Sequence, residues 1–380
     1  MTDQAARPRK QEQEPASEEI TELAPGVLRS QLPISMPGLG HVNCYFLEDE
    51  RGVAVVDPGL PDKHSYATLT ARLQSAGYPL KRVHTVIVTH SHPDHFGGAG
   101  WLRAHSGADI VTHRSFRLMW DPTEPPDVDV EDVPALGEHT DLEHTDLEHT
   151  DPEDTDSDDR PLPHVRRFPW ESTPWGGPGI DVPWKRRMWF RGARRFPRLR
   201  RMPTPTVRLD EASTIRLARR DWIAVHTPGH TDDHLCLFDQ EHGCMLCGDH
   251  VLPTITPHIG GMGTARDPLG KFFESLDKVA DYGPHVRLAL PAHGNPFTDL
   301  AGRAQEIKHH HEGRLEKLRS TSAELSRPAS VMEMSTHLFS ARVQGAMADS
   351  ETFAHLEHLR LAGEMVRRDN VGVLEYVLRG

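Results

Sequence analysis

His90-Ser91-His92-Pro93-Asp94-His95 follows directly on Val83 to Thr89, a run rich in β-branched residues that reads as a strand. Four side chains able to bind a metal fall within six residues, where an irregular loop can aim them at one point. Imidazole and carboxylate suit zinc, and also iron or manganese. Such a loop constrains the whole fold, because the remaining ligands must come from other strand ends at the same edge. Three further segments meet that requirement: His230 in Thr227-Pro228-Gly229-His230-Thr231, Asp249 in Cys247-Gly248-Asp249-His250, and His293 in Pro291-Ala292-His293-Gly294. Each lies where a strand becomes a loop, and ligands of open α/β sheets bind at that edge. The gaps between the segments are about 135, 19 and 44 residues, so only folding brings them together.

The surrounding pattern fits. Residues 26–33, 41–48 and 52–56 read as short strands, 62–76 as a helix ending at Gly77, 97–105 as a second helix and 108–112 as another strand. After an interruption, residues 213–217, 222–226, 234–238, 244–246 and 287–290 read as strands. Strands first and then alternating strands and helices predict an α/β layered domain over residues 19–300. Residues 1–18 are polar and read as a disordered tail. Residues 301–380 are helical and charged, and they end in a helix, a glycine turn and two short strands. That order predicts a small winged-helix-like unit.

The interruption spans about 121–203. Asp121 to Asp159 holds 17 acidic residues and no Lys or Arg, with Glu-His-Thr-Asp-Leu repeating from Glu138 and Glu143. Its composition predicts solvated disorder. Arg160 to Arg201 carries 12 Lys or Arg against two acids, interleaved with Trp170, Trp175, Trp184 and Trp189. This half is expected to act as a lid over the strand-end loops.

The hydrophobic fraction of 37% rises to about 45% with the 30 glycines, the low edge of the globular range, which fits such an insertion. No apolar run reaches the roughly 18 residues of a membrane span, and the first residues lack the apolar stretch of a signal peptide. Four cysteines among 380 residues cannot build a disulfide scaffold. A cytoplasmic location is expected. The net charge of −13 does not favour nucleic acid as a partner.

The order HxHxDH, lone His, Gly-Asp, final His resembles the metallo-β-lactamase superfamily over about residues 19–299, outside the insertion. The resemblance implies an αββα sandwich with two divalent metal ions at one edge, zinc first, with iron or manganese as alternatives. It assigns His90, His92 and His230 to the first ion, Asp94, His95 and His293 to the second, and Asp249 as the bridge. Asp57, in Val55-Val56-Asp57-Pro58-Gly59, matches the residue that supports the ligands from behind. Flavodiiron relatives carry Glu where this chain has His92, and true zinc β-lactamases lack the bridging Asp. Redox chemistry and antibiotic hydrolysis are therefore not expected. The pattern is most similar to glyoxalase II, lactonases, thioesterases and the β-lactamase-like endoribonuclease branch.

Two cations a few ångströms apart acidify a bridging water to hydroxide near neutral pH. The expected activity is hydrolysis of a small, anionic ester, thioester or lactone, with Asp94 and Asp249 as catalytic residues. Two alternatives remain open. One is an endoribonuclease using the same metals; the other is a winged-helix binding protein with a structural metal site. His258, His310, His311 and Arg314 are candidate substrate contacts. Oligomeric state has no signature in the sequence.

Overall fold

The computed structural model describes residues 10–36, 38–118, 170, 172–177, 179–196, 201–263 and 265–380. The first sheet has seven strands ordered as in sequence: β1 (Thr21–Ala24), β2 (Val27–Met36), β3 (Leu39–Asp49), β4 (Gly52–Val56), β5 (Val83–Ile87), β6 (Asp109–His113) and β7 (Val207–Leu209). Pairing is antiparallel from β1 to β4 and parallel from β4 to β7. The second sheet is built from β8 (Thr214–Leu217), β9 (Arg220–His226), β10 (Leu235–Asp239), β11 (Cys244–Gly248) and β12 (Leu288–Pro291), in the order β12-β11-β10-β9-β8. All its pairs are antiparallel except β11 with β12.

Alternation along the strands creates the layers, since successive side chains point to opposite faces. Tyr45 and Leu47 of β3, with Val56 and Ile87, meet Trp222, Leu235, Leu237 and Leu246 of the second sheet in a central core. The intervening Cys44 and Phe46 point outward, to Leu69 and Leu73 of α1 (Lys63–Ser75) and Leu102 of α3 (Ala99–Ser106). On the far side, Cys236, Phe238, Met245 and Cys247 face Leu269, Phe272, Leu276 and Val279 of α5 (Pro268–Tyr282). The result is helix, sheet, sheet, helix, as the resemblance implied. Burying each large apolar side chain contributes roughly 1.5–3 kcal/mol. The α1 boundaries also follow the sequence: Asp62 accepts from the His64 and Ser65 amides at the start, and Gly77 adopts φ +86° just past the end.

All four cysteines are buried free thiols. Cys244 and Cys247 lie on opposite faces of β11, so they form no Cys-x-x-Cys site. Burial pushes the Cys236 thiol up to about 12 and raises the other three.

After β12 come α6 (Leu300–Leu325), β13 (Ala329–Ser330), α7 (Val331–Leu338), α8 (Ala346–Leu361), β14 (Met365–Asn370) and β15 (Val373–Leu378). The three strands form a small sheet, β13-β15-β14. Ile307, Phe353, Leu356, Leu359 and Tyr376 of this unit share one buried cluster with Phe272 and Val279 of α5. The apolar packing thus runs continuously across the boundary expected at residue 300.

The tail expectation needs correction over residues 10–18. Glu12 is fully buried, and its carboxylate accepts from Thr254 N, Thr254 Oγ1 and Ile255 N. With His41 Nδ1 on Glu14 O, Ser17 N on Gln31 Oε1 and Arg72 on the Ser17 and Glu18 carbonyls, that carboxylate anchors a stretch whose composition reads as solvent-exposed. Residues 1–9 and the acidic repeat lie outside the described residues. Of the Trp-rich stretch, Trp175 is buried against Phe353, and Leu374 N donates to Trp175 O. Helix α4 (Trp184–Arg195) packs Trp189 on the outer core of the first sheet and leaves Trp184 exposed. Among the described residues no helix is long and apolar enough to cross a membrane.

Candidate metal centre

Five loops meet at one edge of the two sheets. The first runs from β4 through Asp57, whose φ of +53° bends the chain sharply. Asp57 accepts from Thr89 N at 2.9 Å, Thr89 Oγ1 at 2.8 Å and His95 Nδ1 at 2.9 Å. The second carries His90 and His92 out of β5 and continues into the single turn α2 (Pro93–Phe96), which bears Asp94 and His95. Its position depends on Gly97. A Cβ there would lie 2.2 Å from Pro61 N and 2.4 Å from Gly59 O, so only glycine lets the turn sit against the Asp57 loop.

The third loop presents His230 after β9, the fourth Asp249 after β11, and the fifth His293 after β12. Gly248 has φ +49°, and a Cβ on it would lie 2.5 Å from His234 Nε2. That ring accepts the Asp249 amide at 3.0 Å and so fixes the start of the loop. The His293 loop is held from β3: Asn43 Nδ2 donates to Pro291 O and Gly294 O, and Tyr45 Oη donates to Pro291 O.

Two sets of ligand atoms converge. His90 Nε2 and His230 Nε2 lie 3.0 and 3.1 Å from His92 Nδ1. Asp249 Oδ2 is 3.9 Å from His90 Nε2 and 3.6 Å from His230 Nε2. In the second set, Asp94 Oδ2 is 3.5 Å from both His95 Nε2 and His293 Nε2. Asp249 reaches this set too, with Oδ2 at 3.6 Å from His95 and Oδ1 at 3.2 Å from His293. Asp249 therefore stands between the sets. All seven side chains are buried or nearly so.

The donor set fits divalent cations. His230 Nδ1 donates to His258 O at 2.7 Å and His293 Nδ1 to His41 O at 2.6 Å, so in the neutral rings Nε2 is a bare lone pair. His95 Nδ1, on the Asp57 carboxylate, leaves its Nε2 in the same state. His95 Nε2, His293 Nε2 and Asp249 Oδ1 are buried without a hydrogen-bond partner. Lone pairs facing one another in a dry site repel unless a cation lies between them.

Against the lowering effect of burial, the carboxylates Asp94, Asp249 and Asp57 hold His95 well above its ordinary value, and Asp249 and Asp94 raise His293; a divalent cation would supply the positive charge that these carboxylates otherwise draw onto the rings. Burial raises Asp249, but His293 and His95 outweigh it and hold its carboxyl well below the usual range. Asp94 behaves alike and is held at about 2. Burial drives His90 well below its ordinary value and His92 down to about 3, with neighbouring imidazoles adding to the effect. Burial also pushes Asp233 up to about 7; its Oδ1 accepts from Ser91 Oγ at 2.9 Å and ties the His230 loop to the His90 loop.

The remaining candidates fall differently. His258 turns its ring toward Glu351, with Nδ1 3.4 Å from Oε2. Arg314 donates to Glu351 Oε1, and its guanidinium lies over Phe339. His310 is exposed on α6, close to Arg314 and Glu351. His311 is fully buried against Phe272 and hydrogen-bonded to His355, which corrects its expected place at the substrate. Successive helix positions turn about 100°, and packing on α8 takes one of the three adjacent histidines inside. Sequence reasoning missed His234, Asp233 and His41; Gly229-His230-Thr231-Asp232-Asp233-His234 held the only signal, a second His four residues after the first.

A family model described as the metallo-beta-lactamase superfamily matches residues 37–293, more than half of the chain. The chain belongs to the metallo-β-lactamase superfamily. Two solved structures resemble it throughout. A metallo-beta-lactamase family protein from Thermus thermophilus superposes with a TM-score of 0.65 at 27% identity, covering 94% of this chain and 100% of that one. A beta-lactamase domain protein from Burkholderia ambifaria gives 0.66 at 25% identity, covering 96% and 95%. Among curated relatives, the atrochrysone carboxyl ACP thioesterase of Emericella nidulans is 34% identical over 96 residues, 25% of this chain and 28% of that protein. A lactamase-like protein of Arthroderma benhamiae is 37% identical over 91 residues, 24% and 19%. The match thus spans about a quarter of the length of such superfamily relatives.

Proposed function

We propose that this superfamily member is a dinuclear metal-dependent hydrolase of small esters, thioesters or lactones. One observation carries the reading: Asp249 stands between two converging ligand sets, with oxygens 3.2–3.9 Å from nitrogens of both. In this reading His90, His92 and His230 hold one ion, Asp94, His95 and His293 hold the other, and Asp249 bridges them. Zinc suits the donor set, which holds five imidazoles and two carboxylates. Two bound cations would supply Lewis acidity toward a carbonyl oxygen and acidify a water at neutral pH.

The chain's own groups do the rest. Asp57 orients the His95 ring through Nδ1, and the His41 and His258 carbonyls do the same for His293 and His230. Asp94 and Asp249 stay ionised, so they hold positive charge and orient an attacking water. The thioesterase named among the relatives favours a thioester within this class. The test is a turnover screen of zinc-, iron- and manganese-loaded protein against acyl thioesters, lactones and single-stranded RNA. Thioester or lactone turnover that vanishes with chelation and returns with metal is the expected result. Turnover of RNA alone, or no more than one bound metal per chain after reconstitution, would defeat the reading.

A further inference from the structure

His258 meets the metal centre through its backbone and the C-terminal unit through its side chain. Its carbonyl oxygen accepts from His230 Nδ1 at 2.7 Å. The imidazole points away, with Nδ1 3.4 Å from Glu351 Oε2 on α8. Glu351 is buried, and its other oxygen accepts from Arg314 of α6. Behind it, His355 Nδ1 donates to Glu351 O at 2.7 Å, which leaves His355 Nε2 free to accept from His311 Nδ1 at 3.0 Å. The loop itself is held close to α8. Gly261 N donates to Ser350 O and Oγ at 3.2 and 3.1 Å, and a Cβ on Gly261 would come within 2.4 Å of Phe353.

From this continuous chain of contacts we infer that Glu351 is a positioning residue: through His258 it sets the carbonyl that orients His230, so α6 and α8 tune one of the two metal sites. The inference rests on the dinuclear reading. His311, Glu351 and His355 themselves converge within 4.8 Å, as metal ligands do. The Arg314 guanidinium already neutralises that carboxylate, so a dication there would face a positive charge across a dry interface. His311, His355 and the Glu351 main chain instead form a hydrogen-bonded strut behind that carboxylate. An imidazole whose far nitrogen is held by a fixed acceptor binds metal better, and loss of such a partner typically costs about 10–100-fold in affinity.

The experiment is a stepwise cobalt(II) titration of the full chain, with a chromophoric chelator as competitor and the visible cobalt spectrum as a second readout. Wild type is compared with Glu351→Gln and with His258→Ala, a loop substitution that spares the helix packing. The expected result is about a tenfold or greater loss of affinity for one equivalent in both variants, with a changed cobalt spectrum and the other equivalent unaltered. Unchanged affinities in both variants would overturn the inference, as would an equal loss at both sites with a lowered melting temperature. A third wild-type equivalent lost in Glu351→Gln would overturn it too, because the strut would then be a site in its own right. Wild type that binds no cobalt at all defeats the dinuclear reading, and the positioning role falls with it.

Discussion

Asp249 contributes oxygens to both ligand sets. Its amide is anchored by His234, and its carboxylate faces four imidazoles. Asp249→Ala is expected to lower kcat/KM by at least about a hundredfold, with less than two metal equivalents retained on elemental analysis. Asp57→Asn keeps the shape but removes the charge that holds His95 Nδ1. Its expected effect is about a 10–100-fold weaker binding of one metal, read by chelator competition. The seven converging residues were legible in the sequence because His and Asp clustered at strand ends carry their chemistry in their spacing. The partners of those residues were not. His41 and His258 act through main-chain carbonyls, to which any residue type could contribute, and Asn43 reaches a loop 248 residues away.

At the scale of elements, the joint between α2 and α3 leaves no room for a side chain. Gly97→Ala forces a Cβ into the Pro61 and Leu60 backbone and is expected to cost about 1–3 kcal/mol or more, seen in urea unfolding of the metal-free protein. The α6–α8 interface responds to acid instead. Burial lowers His355 to about 4 and His311 to about 2, against about 6.5 in an unfolded chain. The unfolded chain therefore binds protons that the folded one refuses. The stability these two rings contribute is complete above about pH 6.5 and falls as the pH drops toward 4, by up to about 1.4 kcal/mol per unit for each ring. His355→Gln is expected to flatten that slope in chemical denaturation at pH 6.5, 5.5 and 4.5. An identical slope in wild type and variant would refute the assignment. The strands and α1 were readable from alternation and caps. The burial of His311 was not, because it depends on α8, some 40 residues later in the chain.

Across the whole molecule, the second sheet, α5 and the C-terminal unit share one core, and Trp175 of the insertion closes it from outside. Trp175→Ala is expected to destabilise the chain by about 3–5 kcal/mol, measured by guanidinium unfolding at constant metal. A change below about 1 kcal/mol would show that the segment is only loosely laid on α8. The layered fold was legible as alternating elements. The anchoring of residues 10–18 was not, because it rests on partners far along the chain, at Thr254, Ile255 and Asn295. The four cysteines add a practical consequence. Their thiols sit in every apolar layer: Cys44 outside the first sheet, Cys244 between the sheets, Cys236 and Cys247 outside the second. A colourless-to-yellow disulfide reagent should find nothing to attack in the folded chain, and each newly reactive sulfur would time-stamp the parting of its own layer. Peptide mapping of the labelled cysteines would then order the steps by which this protein comes apart.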